Sequence, residues 1–496
     1  MKSLPLVLLA VLVAATVATP IAASAAPVVT RDVAPVPGAV GGGVGYLDTA
    51  RRVPCLTEAE RAEIVRELRA AREDLYARGL LPRPDKSRTV LMDWPLRAAD
   101  HLRDPGYHGV SGFVDQDPAF PDQLRDYDCG TRTYDLSSGY NHAGTDYFTW
   151  PFSWLKMDND EVEIVAGAPG VIIAKHDGNY DRNCGFGSGS WNAVYVQHAD
   201  GSVAWYGHMK NGSTTGRAVG ETVAAGEVLG IVGSSGSSTG PHLHLELHDD
   251  QWNPVDPYAG PCNALNAESW WTDQRPYYDS AVNAVSTNSA PPEWPSCPLQ
   301  EIPHEQDVFE AGDLVYFLAY YRDQLQGQVS TYSILRPDES VWRTWTGALD
   351  VPFYPASYWW WSWTLPLDAQ DGWWTFRVEY EGQTAEHRFG VGDHGPTDVP
   401  TPAGPALALR AAAPNPFNPT TEIVFALPAA GRAVLRIHDA RGRRLSTLVD
   451  EELGPGEHAA TWSGRGIDGR RVPAAVYFAR LEFDGRARAL KLTLSE

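Results

Sequence analysis

At 496 residues the chain exceeds what one hydrophobic core serves, so at about 150 residues per domain it should hold two to four. Hydrophobic residues at 43% and charged residues at 21% are ordinary for globular material, and 46 Gly with 38 Pro favour turns over long helices, so a β-rich protein is expected. The net charge of −22 argues against a nucleic-acid binder, which needs clustered Lys and Arg for phosphate contacts.

The chain opens with Lys2, an apolar run from Leu4 to about Ala18 and the small-residue exit Ala23-Ser24-Ala25. This reads as a signal peptide over 1–25, because the run is short for a membrane span and a cleavage signal follows. No later segment is long and apolar enough to span. Export puts the five cysteines (Cys55, Cys129, Cys184, Cys262 and Cys297) where disulfides are permitted. The odd count leaves at least one unpaired. Cys262 with Cys297 is the pairing that closes the shortest loop beyond the metal motifs, and the connectivity stays open.

An N-terminal segment over 26–88 carries one helix. Thr57-Glu58-Ala59-Glu60 has the form of a capping box, and Ile64, Leu68, Ala71 and Leu75 follow at helical spacing, predicting a helix over 58–78 that stops near Gly79. Residues 89–285 then change to short apolar stretches between Gly, Asp and Asn, the pattern of a compact antiparallel β domain. Within it Ala193–Val196 and Val203–Tyr206 flank the turn composition Ala199-Asp200-Gly201-Ser202 and predict a hairpin. After the Pro-rich stretch around Pro291 to Pro295, residues 300–392 predict an immunoglobulin-like β-sandwich. A Pro-rich spacer over 393–405 leads to one more small β domain over 406–496. That last unit holds 13 Lys+Arg against 10 Asp+Glu in an otherwise acidic chain, which marks it as separate.

The segment His242-Leu243-His244-Leu245-Glu246-Leu247-His248 alternates strictly, so on a strand its polar residues share one face and its leucines the other. An H-x-H alone is common by chance. The second element is His142-Ala143-Gly144-Thr145-Asp146, where positions 142 and 146 would share one face of an extended strand and Gly144 puts no side chain in the way of a metal. Two imidazoles and a carboxylate are a catalytic-zinc set that leaves the fourth tetrahedral position for water. His208, in Tyr206-Gly207-His208, and His242 are candidates for moving protons and stabilising an oxyanion.

Together H-x-G-x-D, Y-x-H and V-G-x-x-G-x-S-x-G-P-H-L-H resemble the lysostaphin/LytM-type zinc endopeptidases, over roughly Gly139 to Tyr258. The resemblance implies the antiparallel duplicated-hybrid-motif fold and one Zn2+ per chain held by His142, Asp146 and His244. It also implies that His208 and His242 flank the metal-bound water. The activity implied is cleavage of peptide cross-links in bacterial peptidoglycan through a zinc-bound hydroxide. The competing reading is a wall-binding or hydrolase-activating protein that keeps the fold without cutting. Which bond is cut stays open, Gly-Gly, D-Ala-diaminopimelate or a bond in a non-wall protein, and so does whether the N-terminal segment occludes the site.

Two features stand outside that motif. Tyr147 to Glu161 is long and aromatic, and reads either as a packed loop or as a substrate contact. Tyr358-Trp359-Trp360-Trp361-Ser362-Trp363 puts aromatics on both faces of a strand, more than a single core takes, so it is either a glycan platform or a packing surface against a neighbour. His176, His198 and His248 read as structural or as supporting the metal ligands from behind. The C-terminal unit, with Ala413-Pro414-Asn415-Pro416-Phe417-Asn418-Pro419, Leu435 to Arg443 and Val476-Tyr477-Phe478, resembles FlgD-type immunoglobulin modules and type IX secretion sorting domains. That resemblance implies contact with secretion machinery and a place in the periplasm, on the outer membrane or outside the cell. The whole reads as mainly β: an antiparallel peptidase domain, two Ig-like sandwiches and a short helical N-terminal segment, with no nucleic-acid partner.

Overall fold

The computed structural model describes residues 29–30, 40–46, 54–86, 90–185, 189–349, 351–393, 408–413 and, with short interruptions, 417–495. The expected signal peptide and nearly all of the Pro-rich spacer lie outside the described residues. The protein is mainly β, with two helices among the described residues, α1 (Glu58–Ala77) and α2 (Ser153–Asp158). Neither is long and apolar enough to cross a membrane.

The first unit is built on an antiparallel sheet whose strands run Thr222–Val223, Gly170–His176, Ala193–Gln197, Val203–Gly207, His242–His248, Thr145–Thr149 and His108–Gly112 across its width. The expected hairpin is present, with Val194 opposite Tyr206 and Val196 opposite Ala204. Period-two alternation divides this sheet into two faces. Val194, Val196, Ala204, Tyr206, Leu243, Leu245 and Leu247 point to a core shared with a smaller sheet of Leu96–Ala98, Val162–Val165 and Val228–Ile231. Ala193, Tyr195, Val203 and Trp205 point the other way, onto α1.

The start of α1 is fixed by its sequence: Thr57 Oγ accepts from Glu60 N–H at 3.2 Å while the Glu60 carboxylate accepts from Thr57 N–H at 2.7 Å. Arg78 closes it, and Gly79 continues in the left-handed region at φ +68°, where a side chain would be strained. Ile64, Leu68 and Leu75 form its buried stripe, set against Val171, Ile173, Tyr195 and Trp205. The imidazole face of the His242–His248 strand is therefore covered by α1 rather than open to water.

The second unit pairs two sheets around Phe317, Tyr332, Trp361, Trp374 and Phe376. One sheet takes in Ala281–Asn288, which straddles the end of the span read as peptidase and pairs with Leu314–Leu325. It also takes in Val40–Tyr46, which pairs with Phe353–Thr364. The tryptophan-rich strand alternates cleanly. Trp361 and Trp363 enter the sandwich core, whereas Tyr358 and Trp360 face the first unit and join Trp150, Phe152, Trp294 and Tyr320. The aromatic stretch after Asp146 thus forms the joint between the two units. Glu301 secures it by accepting from the N–H groups of Trp154 at 3.1 Å and Leu155 at 3.0 Å, at the start of α2, which has no side-chain cap of its own. A buried Arg132–Asp323 ion pair at 2.9 Å crosses the same joint.

The last unit has its own core of Ile423, Phe425, Leu435, Trp462 and Leu481 between a three-stranded and a four-stranded sheet.

The disulfides are Cys129–Cys262 and Cys184–Cys297, so the shortest-loop pairing of Cys262 with Cys297 is not formed. Folding decides the matter. Cys262 N–H donates to Tyr127 O at 2.9 Å, which brings it to the Cys129 turn, while Gly185 N–H donates to Ser238 O and holds the Cys184 loop beside the segment that carries Cys297. Cys55 is left free and buried.

Candidate metal centre

The register of three strands assembles the site. In the central strand His244 lies opposite Asp146 on one side and Gly207 on the other, and His208 is the next residue along. His142 does not share a strand with Asp146, as the spacing had suggested. That strand begins at Thr145, and His142 arrives from the loop before it. The loop is pinned by hydrogen bonds from Asp115 N–H to His142 O and from His142 N–H to Tyr134 O, and the imidazole stacks on Tyr134 with ring centroids 4.4 Å apart. Gly144 lets the loop pass: a Cβ there would stand 2.6 Å from the His244 ring and 2.7 Å from Leu245 O.

Each of the four imidazoles has one nitrogen anchored, which turns the other toward a common centre. His142 Nδ1–H donates to Phe113 O at 2.8 Å, His208 Nδ1–H to Ser235 O at 2.6 Å and His242 Nδ1–H to Gly240 O at 2.9 Å. For His244 the anchored atom is Nε2, which donates to Glu246 at 3.2 Å. The nitrogens left facing inward meet one carboxylate. Asp146 stands 3.1 Å from His142 Nε2, 2.7 Å from His244 Nδ1 and 3.7 Å from His242 Nε2. His142 Nε2 and His244 Nδ1 are 3.4 Å apart. Donors 2.0 Å from a tetrahedral metal stand about 3.3 Å from one another, so these three fit a zinc ion. The Nε2 of His208 is buried and makes no hydrogen bond.

The electrostatics follow from this crowding. Burial opposes charge on His142, but Asp146 outweighs it and pushes the imidazole up to about 9. Burial likewise works against the Asp146 carboxylate, yet His142 and the other imidazoles hold it well below the usual range. His208 is pushed down by burial and by His242 beside it. A carboxylate ringed by imidazoles holds protons where a cation can take their place, so metal binding here releases protons.

Sequence reasoning named all five of these residues and allowed His248 a supporting role, but missed Glu246 and Arg61. Glu246, fully buried, accepts from His244 and from His248 Nε2 at 2.8 Å, and is gripped by Arg61 of α1 through Nε at 2.9 Å and Nη2 at 3.1 Å. His198 and His176 are spent elsewhere, on Pro169 O and Glu67. The larger omission is Cys55. Its Sγ lies 3.1 Å from Tyr134 Oη, 3.8 Å from Asp146 Oδ2 and 4.0 Å from His242 Nε2. It forms a compact group of potential ligands with His142, Asp146 and His244, and another with His208 and His242. The only trace of it in the sequence is the odd cysteine count.

Residues 155–257 match peptidase family M23, a span that includes His208, His242 and His244 and begins after His142 and Asp146. The chain is 44% identical over 92 residues to the DD-carboxypeptidase/endopeptidase Mpg of Neisseria meningitidis, covering 18% of each chain. It is 41% identical over 71 residues to the cell division protein DipM of Caulobacter vibrioides, covering 13% of this chain and 11% of that one. The catalytic domain of the antimicrobial peptidase lysostaphin from Staphylococcus simulans is similar at 27% identity, over 25% of this chain and 83% of that chain, with a TM-score of 0.19. The matched segment spans less than a fifth of the length of these curated relatives. The chain carries an M23, lysostaphin/LytM-type, peptidase domain.

Proposed function

We propose that this protein is a zinc metalloendopeptidase that hydrolyses peptide cross-links of bacterial peptidoglycan, with His142 Nε2, an Asp146 oxygen and His244 Nδ1 as ligands to one zinc ion. The observation that carries the reading is the set of anchored imidazoles, of which His142, His244 and His242 turn their other nitrogen toward Asp146 while His208 keeps a buried Nε2 free beside His242. Zinc, when bound, supplies a Lewis acid for the scissile carbonyl and lowers the pKa of a bound water to about 7. His208, kept neutral by burial, accepts a proton at Nε2 and returns it to the leaving amine. His242, whose Nδ1–H is given to Gly240 O, donates from Nε2 as the imidazolium, a form that burial opposes and the neighbouring Asp146 favours, to the oxygen on which charge develops. Glu246 holds the tautomer of His244 that leaves Nδ1 free for the metal.

The two disulfides suit an extracytoplasmic location, and we read the C-terminal sandwich, with its own core and opposite net charge, as a delivery or anchoring module. The test is release of amines from purified sacculi by the zinc-loaded chain, by its Cys55→Ala variant, because the thiol stands among the ligands, and by His208→Ala, each with and without chelator. Chelator-sensitive release that His208→Ala abolishes is expected. No release by either of the first two proteins refutes the reading.

A further inference from the structure

We propose that Cys55 is a fourth protein ligand to this metal, so that the segment leading into α1 closes the coordination shell and holds the peptidase latent. The inference rests on the metal centre argued above.

Three observations carry it. The first is placement. Cys55 Sγ lies within 4.8 Å of the ligand atoms of both the His142–Asp146–His244 group and the His208–His242 pair, so the sulfur is the one atom the two groups share, in the region where an attacking water would have to sit. A thiolate at 2.3 Å from zinc and a nitrogen or oxygen at 2.0 Å stand about 3.5 Å apart in a tetrahedron, close to the 3.8 and 3.9 Å from Sγ to the Asp146 oxygens. The second is His208, fully buried, whose Nε2 has no hydrogen bond and belongs to the group that includes Cys55. The third is redox state: the other four cysteines are paired in disulfides, and Cys55 alone keeps a thiol.

The sulfur is delivered by a built device. Cys55 lies two residues before Thr57, whose capping box fixes the first turn of α1. One turn on, Arg61 makes its two bonds to Glu246, the carboxylate that orients the metal ligand His244. Leu56, Ile64, Leu68 and Leu75 pack on the sheet beyond. Two His, one Asp and one Cys complete a four-coordinate set, the closed arrangement of a zinc that does not catalyse. Opening the fourth position requires the sulfur to leave, which lifting α1 and breaking the Arg61–Glu246 pair would accomplish.

X-ray absorption at the zinc edge of the full chain, purified oxidised and loaded with one zinc, tests the geometry without reference to activity. One sulfur scatterer at about 2.3 Å beside nitrogen and oxygen at about 2.0–2.1 Å is expected, with the sulfur lost and its place left to water in both Cys55→Ala and Cys55→Ser. Both variants should release amines from sacculi at least about tenfold faster than the parent chain, and two variants guard against misfolding of one. Zinc bound through nitrogen and oxygen alone in the parent chain overturns this inference and leaves the metal centre standing. A chain that binds no zinc overturns both.

Discussion

Replacing Gly144 with alanine probes a close backbone approach in the centre. The added methyl would sit 2.6 Å from two atoms of the His244 ring and 2.7 Å from the carbonyl of Leu245, where carbon contacts settle at about 3.5–4.0 Å. Relief requires a shift of roughly 1 Å. The ring has little freedom to give it, because Glu246 holds Nε2 and Asp146 faces Nδ1 at 2.7 Å, and the carbonyl belongs to the central strand of the sheet. Overpacking of this kind costs about 1–3 kcal/mol, or roughly 2–10 °C in Tm for a domain of this size. A ligand moved by that distance should also weaken zinc binding by at least about tenfold. Calorimetry of the metal-free protein and zinc competition against a chromogenic chelator measure the two effects separately. Gly216→Ala, where the added Cβ meets nothing within 4 Å, is the control. Equal Tm and equal zinc affinity for the two variants would refute the geometry claimed for the loop before Asp146.

Arg61→Met leaves Glu246 buried with only imidazole partners and should cost about 3 kcal/mol in urea unfolding; a loss below ~1 kcal/mol would mean that α1 does not engage this carboxylate. Glu301→Ala removes the acceptor for the first N–H groups of α2 and should cost roughly 1–2 kcal/mol, whereas Glu301→Gln, which keeps an acceptor oxygen, should recover most of it. Asp256, fully buried and pushed up to about 7 by burial, binds its proton more tightly folded than unfolded. The stability it lends is complete below its ordinary value of 3.8 and is lost as pH rises through about 7, a change on the order of 4 kcal/mol. Denaturation of Asp256→Asn between pH 4 and 7.5 should give a flatter profile than the parent chain, and parallel profiles would show that another group governs this window.

Much of the centre was legible because period two is a strong signal: the alternation from His242 to His248 sorts leucines from imidazoles without any knowledge of neighbours. The same rule misled at His142, since a glycine two residues on allowed a loop where an extended strand was expected. The strand Val40–Tyr46, rich in glycine and poor in β-formers, carries no local signal and exists because the edge of the Phe353–Thr364 strand accepts it. The joint between the first two units was half visible. Aromatics on both faces of the Tyr358–Trp363 stretch required two partners, but only folding shows that the second is the Trp150–Phe152 turn. Cys55 was invisible as a site residue, because 87 positions separate it from the first metal motif and proximity of that kind is written in tertiary structure alone.

The pairing of four cysteines also bears on how the chain acquires the right metal in the right place. Before oxidation all five thiols are soft donors, and a thiophilic ion meeting the unfolded polypeptide has many ways to be chelated wrongly. Each disulfide withdraws two of those competitors, and the pair formed by Cys184 and Cys297 does so beside the loop that approaches Ser238, at the rim of the centre itself. On the proposed metal reading, oxidative folding would thereby act as a filter on metallation. Protein made in a reducing cytoplasm should take up thiol-bound metal in excess of one ion per chain, and its metal content will describe the preparation rather than the enzyme.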